Sequence, residues 1–368
     1  MNIYKSLRPL IFKLRPETAH NLAIRFLKSN LFFPQIKEYR NLKQKIFGLH
    51  FKNPIGMAAG FDKNAQVAES LSKFGFGFVE CGTVTPIRQE GNAKPRMFRL
   101  EEDGAIINRL GFNNHGARDF ERNFKRIPNK RSICPIGVNI GKNKYTKDAS
   151  QDYVFLLDRF YSRASYITIN ISSPNTKNLR DLQQEDQLAE FLKSIMKKKE
   201  ELKKISKKDV PVFLKVAPDL TLEEQENIAK LVLKSHIDGM IVSNTTISRD
   251  ESLKDSQSKE SGGLSGKPLF EKSNQVLKNF YKLTKGKVPL IGVGGISSAE
   301  DAYEKIKCGA SLVQIYSAFI YEGFGLVEEI KKDLTKMVKK DGFKNIITFG
   351  IGGSYEGPKL LQEFRRQR

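Results

Sequence analysis

The sequence has few cysteine and histidine residues and no long apolar run. Its three cysteines, Cys81, Cys134 and Cys308, lie far apart and have no histidine at metal-ligand spacing. This argues against a disulfide framework and against a metal site, and it predicts three buried thiols in a reducing compartment. No stretch reaches the roughly 18 apolar residues that a membrane-spanning helix needs. The N-terminus also lacks an apolar segment ending in a small-residue cleavage site, so a secretory signal is not expected.

Positive charge is in excess. Lys and Arg number 63 against 41 Asp and Glu, which gives a formal net charge of +22. A solvated lysine-rich surface explains such an excess; the alternatives are attraction to an anionic membrane surface or to nucleic acid. The basic residues lie on helix faces such as 197–199 and 203–204, and no motif interleaves them with aromatic residues. Nucleic acid is therefore not an expected partner.

Beyond residue 50 the sequence repeats one unit: a short apolar strand, a polar strand end and an amphipathic helix. Strands are predicted at 54–59, 78–84, 133–140, 166–171, 210–216, 239–244, 288–293 and 311–316. Helices are predicted at 64–74, 184–202, 222–234, 272–283, 298–306 and 326–338. This alternation indicates an α/β protein with right-handed βαβ units and a parallel sheet. Eight strands fit a closed (β/α)8 TIM barrel, whose active site lies at the C-terminal strand ends.

Two insertions interrupt the repeat. Residues 98–107 predict a small hairpin above the barrel mouth, with its turn at 101–104. The loop 248–266 is rich in Ser, Lys and Gly, and its length predicts a mobile lid. The chain is thus divided into an N-terminal helical extension at 1–40, a barrel domain at 41–340 and a tail of unknown role at 341–368.

Residues 1–40 carry two apolar stripes at helical spacing. One comprises Leu7, Leu10, Ile11 and Leu14, and the other Ala19, Leu22, Ala23, Phe26, Leu27 and Leu31. Pro16 starts the second helix and Pro34 stops it, whereas Pro9 must begin or kink the first. The segment has eight basic and two acidic residues. A helical hairpin with an apolar face and a basic rim is either a lid packed on the barrel or an interfacial membrane anchor.

The fourth predicted strand ends in an unusually polar run. Residues 170–176 read NISSPNT and supply two amides and three hydroxyls. Each such group needs a partner when buried, so this strand end is suited to a small polar substrate. No histidine closes the strand, so a serine triad is unsupported and Ser173 would act as a base with help from its surroundings. The histidines His20, His50, His115 and His236 are scattered, and surface or cap positions are expected for them.

Other strand ends predict an anion site. Residues 292–295 read GVGG after the seventh strand, and Tyr316-Ser317 follows the eighth, where barrels bind phosphate with backbone N–H groups. A glycine pair alone also fits a tight turn. Lys63 and Lys215 end two further strands; each either reaches solvent or points into the barrel mouth. Two lysines among neutral groups favour an anionic substrate, an anionic cofactor, or both.

Nine motifs together resemble one family. They are AAGFDK at 58–63, GTVTP at 82–86, KPRMFRL at 94–100, NRLGFNN at 108–114, NIGKN at 139–143, NISSPNT at 170–176, SNTT at 243–246, GGLSG at 262–266 and GVGGI at 292–296. In this order they resemble dihydroorotate dehydrogenase, specifically its quinone-reducing, membrane-associated class. The soluble class of the family usually has Cys at the position of Ser173 and lacks the helical hairpin. Two features depart from the family: Ser243 replaces a frequent Thr, and the tail beyond about residue 345 has no counterpart.

The resemblance implies a reaction and a set of site residues. The implied reaction oxidises (S)-dihydroorotate to orotate in pyrimidine synthesis, with one FMN per chain as hydride acceptor and ubiquinone or menaquinone as final acceptor. Ser173 is the implied base, with Thr176 and Phe112 shaping a proton relay. The flavin positions are Ala59, Gly60, Phe61, Asp62, Lys63, Thr83, Asn139, Asn170, Lys215, Ser243, Gly266, Gly295, Tyr316 and Ser317. The substrate positions are Lys63, Asn108, Arg109, Leu110, Gly111, Phe112, Asn170, Asn175, Asn244 and Thr245. The quinone positions are His20, Arg99 and Tyr316.

The same resemblance implies a peripheral membrane protein at the cytoplasmic face of the cell (inner) membrane, as a monomer or homodimer. Two alternatives stay open. One is the soluble class of the family, which uses fumarate or NAD; Ser173 and residues 1–40 argue against it. The other is a flavin- or phosphate-binding barrel without this chemistry, using its positive charge to bind nucleic acid. Ser173 and the asparagine cluster argue against that.

Overall fold

The computed structural model describes residues 3–29, 36–128, 134–176 and 179–341. The expected helix stop at Pro34 and the tail beyond residue 341 lie outside these residues. The strands are β1 Gln44–Ile46, β2 Leu49–Phe51, β3 Ile55–Met57, β4 Phe78–Val84, β5 Met97–Leu100, β6 Ala105–Asn108, β7 Ile136–Ile140, β8 Tyr166–Asn170, β9 Val212–Val216, β10 Gly239–Val242, β11 Gly263–Gly266, β12 Leu290–Val293 and β13 Ala310–Ile315. The α-helices are α1 Ile3–Phe12, α2 Pro16–Lys28, α3 Ala68–Lys73, α4 Gly116–Phe124, α5 Ala149–Phe160, α6 Glu185–Ser206, α7 Leu222–Ser235, α8 Phe270–Leu283, α9 Ala299–Lys307, α10 Ser317–Glu322 and α11 Leu326–Lys340.

Eight parallel strands close into a barrel in the order β3-β4-β7-β8-β9-β10-β12-β13, and β13 pairs back to β3. This confirms the predicted (β/α)8 fold. Successive strand residues point alternately into the barrel and toward the surrounding helices. The barrel interior is filled by large apolar side chains such as Phe78, Tyr166 and Phe213. Because the interior is solid, a small molecule can bind only at an end of the barrel.

The β1–β2 hairpin, which the sequence analysis missed, closes the N-terminal end of the barrel. Its two-residue turn, Phe47-Gly48, has both residues at positive φ, 56° and 73°, as in a type I′ hairpin turn. The ring of Phe47 packs against Phe213 with centroids 4.5 Å apart, and Phe51 packs against Phe78 at 5.6 Å. The open end of the barrel is therefore the C-terminal one.

A three-stranded antiparallel sheet, β11-β6-β5, lies over the open end. The β5–β6 hairpin was predicted, but β11 was not, because it lies within the loop expected to be a mobile lid. Part of that loop folds around Arg249, whose guanidinium donates hydrogen bonds to the carbonyls of Ser258, Glu260 and Gly262. The register of β11 pairs Gly263 with Asn108, so the loop is tied to the end of β6.

Helices α1 and α2 form the predicted hairpin extension. Pro9 lies inside α1 rather than at its start. The hairpin contacts the barrel through polar groups as well as apolar ones: the Tyr4 hydroxyl donates to the Ile320 carbonyl at 2.5 Å, and Lys5 pairs with Glu322 at 2.9 Å. Leu7, Leu10, Leu14, Leu22 and Phe26 of the hairpin are exposed. Among the described helices, none combines the length and apolarity needed to cross a membrane.

Candidate active site

The C-terminal strand ends surround a cavity of about 340 Å³. It brings together most of the residues that the sequence singled out. The predicted residues that line it are Ala59, Gly60, Lys63, Thr83, Asn108, Leu110, Gly111, Phe112, Asn170, Ser173, Asn175, Lys215, Ser243, Asn244, Thr245, Gly266, Gly295, Tyr316 and Ser317. These residues are spread over more than 250 positions of sequence, so the parallel topology is what assembles them.

Four of the predicted flavin and substrate residues do not line this cavity. Phe61 packs edge-to-face on His20, at 5.2 Å between centroids. The buried carboxylate of Asp62 accepts hydrogen bonds from the N–H groups of Gln66 and Val67 at 2.7 and 2.8 Å, just before α3. Asn139 is fully buried beneath the cavity floor. Arg109 points outward, where its guanidinium lies 2.7 Å from the Glu260 carboxylate.

Ser173 lies in the segment that follows β8 and is 6% exposed. Its hydroxyl oxygen accepts the N–H of Asn175 at 3.3 Å. None of the four histidines of the chain lines the cavity. The hydroxyl of the preceding residue, Ser172, donates to the Asn170 side chain at 2.8 Å and accepts from the Asn244 amide at 2.8 Å. Hydrogen bonds through Ser172 therefore hold the amide groups of Asn170 and Asn244 in place, while Ser173 lines the cavity.

Two lysines place positive charge at the cavity. Within the described part of the chain, neither Lys63 nor Lys215 has a hydrogen-bond or ion-pair partner. Burial lowers the pKa of Lys63 to about 8. Burial also lowers the pKa of Lys215, against the opposing influence of the Glu80 carboxylate. Both ammonium groups are therefore available for anionic groups of a ligand.

A polar network inside the barrel, centred on Glu80, was missed by the sequence analysis. Glu80 is fully buried on β4. Its carboxylate accepts hydrogen bonds from Asn139 at 2.7 Å, Gln314 at 2.9 Å and Thr168 at 3.1 Å. Asn139 in turn accepts from Thr83 at 2.6 Å, and the Asn170 amide donates to both, so the network holds the cavity floor. The single Glu in an otherwise apolar strand could have indicated this network, because a buried carboxylate needs hydrogen-bond donors around it.

The glycine loop after β12 forms part of the cavity wall with its backbone. Gly294 and Gly295 have positive φ, 117° and 77°. A Cβ on Gly295 would meet Phe270 at 2.5 Å, so a larger residue does not fit. Beneath the loop, the buried Lys305 ammonium donates to the Ser273 hydroxyl at 2.5 Å, and that hydroxyl lies within donating distance of two carbonyls, that of Phe270 at 2.9 Å and that of Gly294 at 3.1 Å. Burial lowers the pKa of Lys305 to about 7. Sequence analysis missed this lysine because it lies in α9, away from the strand ends.

A second missed cluster ties three strand ends together. Arg180 donates to the carbonyls of Ser172 and Thr245, each at 3.0 Å, and pairs with Asp219 at 2.9 Å. Asp219 also accepts from Lys272 at 2.6 Å and from the Thr246 hydroxyl. The loops after β8, β9 and β10 are therefore held by one ion-pair cluster outside the cavity.

A larger apolar cavity of about 880 Å³ lies between the helical hairpin and the barrel. His20 and Arg99 line it, whereas Tyr316 lines the first cavity. Burial, assisted by the charge of Lys63, lowers the pKa of His20 to about 3. The Arg99 guanidinium lies over the Phe12 ring, 4.3 Å from its centroid, and donates to the carbonyls of Phe12 and Leu14. Phe12 lines both cavities, so the two are neighbours.

Comparison with known proteins identifies the family. The family model described as dihydroorotate dehydrogenase matches residues 41–338. The chain belongs to the dihydroorotate dehydrogenase family. Relatives carry the name dihydroorotate dehydrogenase (quinone): one from Rhizobium johnstonii is 51% identical over 332 residues, covering 90% of this chain and 91% of the relative. Another, from Rhodopseudomonas palustris, is 48% identical over 338 residues, covering 91% of each.

Solved structures of the family agree in fold. DHODH from Eimeria tenella in complex with ferulenol superposes with a TM-score of 0.87 at 39% identity, covering 93% of this chain and 98% of that one. The ligand-free form of that protein gives a TM-score of 0.84 at 40% identity, covering 90% of this chain and 97% of that one.

The described residues contain no cluster of potential metal ligands. All three cysteines are free and buried, as predicted.

Proposed function

We propose that this chain oxidises dihydroorotate to orotate at the strand-end cavity, on a bound FMN, with Ser173 as base and a quinone as final electron acceptor. Oxidation of dihydroorotate with a quinone acceptor follows from family membership and from relatives about half identical over 90% of the chain. The flavin, the base and the residue assignments are the finer part of the proposal. The observation that supports them is the Ser173 hydroxyl facing a cavity with two unpaired lysines.

The cavity residues fit FMN. The Gly294-Gly295 loop, which admits no Cβ at Gly295, and the Ser317 hydroxyl suit the phosphate. The unpaired Lys215 ammonium suits the electron-rich edge of a flavin ring, where it stabilises negative charge on reduction. When bound, FMN supplies the acceptor for the hydride that leaves dihydroorotate. Thr83, Asn139 and Asn170 hold the floor on which a ring would rest.

The substrate residues act in three ways. Lys63 binds the dihydroorotate carboxylate, while Asn108, Asn175 and Asn244 donate to and accept from the ring. Ser173 removes a proton from dihydroorotate and passes it on. Thr176 is the proposed next acceptor, since its buried hydroxyl has no hydrogen-bond partner within the described residues. Phe112, at the cavity edge, shields this route from water.

The apolar cavity beneath the hairpin is the proposed entry for the quinone. His20 and Arg99 contribute polar groups to an otherwise apolar lining. The exposed leucines of the hairpin and its basic residues would hold the protein against an anionic bilayer surface, from which a water-insoluble quinone must come. We therefore assign residues 1–40 to quinone access and residues 41–340 to catalysis, at the cytoplasmic face of the cell membrane.

An anaerobic absorbance experiment tests this function. The purified protein should show an oxidised flavin spectrum that dihydroorotate bleaches and a short-chain ubiquinone restores. Fumarate or NAD should not restore it. If no flavin copurifies, or if dihydroorotate leaves the spectrum unchanged, the proposed reaction at this cavity is wrong. Restoration by fumarate or NAD but not by the quinone would instead identify the soluble class.

A further inference from the structure

An ion pair connects the helical hairpin to the segment before β5. Glu17, in the first turn of α2, accepts hydrogen bonds from Arg96 Nε at 3.2 Å and from Arg96 Nη2 at 2.8 Å. The Arg96 side chain is 7% exposed and that of Glu17 is 25% exposed. A bidentate, largely buried pair of this kind fixes geometry as well as charge. It lies outside both cavities, since neither residue lines them.

The third nitrogen of Arg96 continues the connection toward the substrate residues. Arg96 Nη1 donates to the carbonyls of Glu90 and Asn92, at 2.5 and 2.8 Å. The Asn92 amide then donates to the Asn175 carbonyl at 3.2 Å and to the Arg109 carbonyl at 3.0 Å. One continuous chain of hydrogen bonds thus runs from the hairpin to Asn175. Asn175 in turn donates its side chain to the Asn108 carbonyl at 3.0 Å, within the substrate part of the cavity.

Glu17 also acts on Lys63 through space. The charged and titratable groups that face Lys63 are Glu17 and His20 from α2, Arg96 from the segment before β5, and its neighbour Asp62. Burial lowers the pKa of Lys63, and Glu17 is the strongest opposing influence. His20 is neutral near pH 7, because its own pKa is lowered to about 3. The hairpin therefore supplies the largest influence that favours the protonated form of Lys63, and the Arg96 guanidinium opposes it.

We propose that Glu17 is a positioning residue for dihydroorotate and orotate: through Arg96 and Asn92 it fixes Asn175, and its carboxylate faces Lys63 from the hairpin. The hairpin then contributes to substrate binding in addition to quinone access. This inference rests on the substrate roles proposed above for Lys63 and Asn175.

The test is an orotate titration of Glu17→Gln, followed by the change in flavin absorbance. Glutamine keeps the shape but removes the charge, so the orotate dissociation constant should rise about 5- to 10-fold near pH 7. Re-oxidation of the reduced flavin by a short-chain quinone should keep the wild-type rate. The matched control is Lys5→Met, which breaks another hairpin ion pair, Lys5–Glu322, and should bind orotate as the wild type does.

The pH dependence separates positioning from general structural support. Orotate affinity should fall as pH rises through the pKa of Lys63, because the neutral amine no longer attracts a carboxylate. In Glu17→Gln that pKa is lower, so the fall should begin at a lower pH. Glu17→Asp keeps the negative charge while shortening its reach to Arg96. Glu17→Asp should therefore show the wild-type pH dependence of orotate binding but a lower affinity than the wild type. If Glu17→Gln does not fold, the same titrations are made with Glu17→Asp.

Two outcomes would overturn the inference. One is a Glu17→Gln titration that superimposes on that of the wild type at about pH 7 and at about pH 9. The other is an equal loss of orotate binding, quinone re-oxidation and thermal stability, which is what a merely structural residue would give. Lys63→Ala distinguishes this from failure of the underlying function. If Lys63→Ala binds orotate normally, the proposed substrate site is itself wrong; if it binds weakly while Glu17→Gln is normal, the inference about Glu17 alone fails.

Discussion

At the scale of single residues, the protein holds positive charge that it does not itself neutralise. Lys63 and Lys215 lie at the strand-end cavity without hydrogen-bond or ion-pair partners among the described residues. Lys305 is fully buried, and its one hydrogen bond within the described residues is to a neutral hydroxyl, that of Ser273. A buried, unpaired cation is costly in a folded protein. We expect anionic ligands, a carboxylate and a phosphate, to compensate Lys63 and Lys215 at the cavity and Lys305 beneath its glycine loop.

The role of Lys305 can be tested by flavin retention. Lys305→Met should raise the FMN dissociation constant about tenfold, because the loop carbonyl of Gly294 loses the hydroxyl contact that Lys305 orients, and a positive charge near the phosphate is removed. The measurement is the flavin-to-protein absorbance ratio after dialysis at several FMN concentrations. Lys278→Met, at an exposed lysine of the neighbouring α8, is the control and should retain flavin fully. Equal retention in both variants would show that Lys305 does not support the phosphate site.

At the scale of elements, the site depends on three loops held by Arg180 and Asp219. Burial opposes ionisation of Asp219, but hydrogen bonds from Lys272 and Thr246 outweigh it and keep the pKa of Asp219 below its usual value. Because the folded-state pKa lies below the unfolded one, the stabilisation is present above about pH 4 and is lost as the pH falls below that. The loops that carry Ser173 and Asn244 should therefore remain fixed at neutral pH.

Asp219→Asn tests this cluster. Loss of the charge leaves Arg180 and Lys272 without their carboxylate, so flavin reduction by dihydroorotate should slow about tenfold while FMN stays bound. We also expect the free energy of unfolding to fall by about 1–3 kcal/mol. Stopped-flow absorbance and thermal unfolding are the measurements. Asp158→Asn breaks the surface pair Lys198–Asp158, in which Asp158 is 55% exposed, and should change neither. A wild-type reduction rate in Asp219→Asn would mean that the cluster does not position the base.

Local sequence pattern predicted the barrel because its apolar strands and their polar ends are contiguous runs. It also located the β5–β6 hairpin. It missed β11, since Gly263-Leu264-Ser265-Gly266 has almost no strand propensity and forms a strand through its pairing with the distant β6 and a bridge to Thr246. It missed α4, where four charged residues hide a buried face of Ala117, Phe120 and Phe124. Helix α5 was also not predicted, although the sequence carries a helix signal there: Asp148 is an N-cap residue, and apolar residues follow it at helical spacing.

The candidate site was predictable to a similar extent. Strand ends are visible in sequence, so Lys63, Ser173 and Lys215 could be proposed without a structure. Arg180 and Lys305 could not, because their importance comes from contacts with residues far along the chain. The sequence also does not show which residues of a strand end point away from the cavity, as Asp62 does, because neighbouring residues at a strand end can face opposite ways.

At the scale of the whole molecule, the hairpin exposes large apolar side chains. Leu10 is 62% exposed and Phe26 is 43% exposed. Replacing both with Ser should weaken binding to vesicles containing anionic lipid, measured by cosedimentation, and binding of the wild type should fall with added salt. Ile205→Ser, at a 77% exposed position of α6, is the control and should bind like the wild type. If the double variant sediments equally well, the hairpin is a structural lid and not a membrane anchor.

In the proposed function, two neighbouring cavities divide one reaction: dihydroorotate reacts at the strand ends and the quinone reacts beneath the hairpin. Stopped-flow flavin absorbance measures the two half-reactions separately. Ser173→Ala should slow bleaching by dihydroorotate by ~10²–10⁴-fold while the reduced flavin is re-oxidised by quinone at the wild-type rate. Ala23→Phe, which fills the apolar cavity, should do the reverse. Bleaching at the wild-type rate in Ser173→Ala, or unimpaired quinone re-oxidation in Ala23→Phe, would contradict the account.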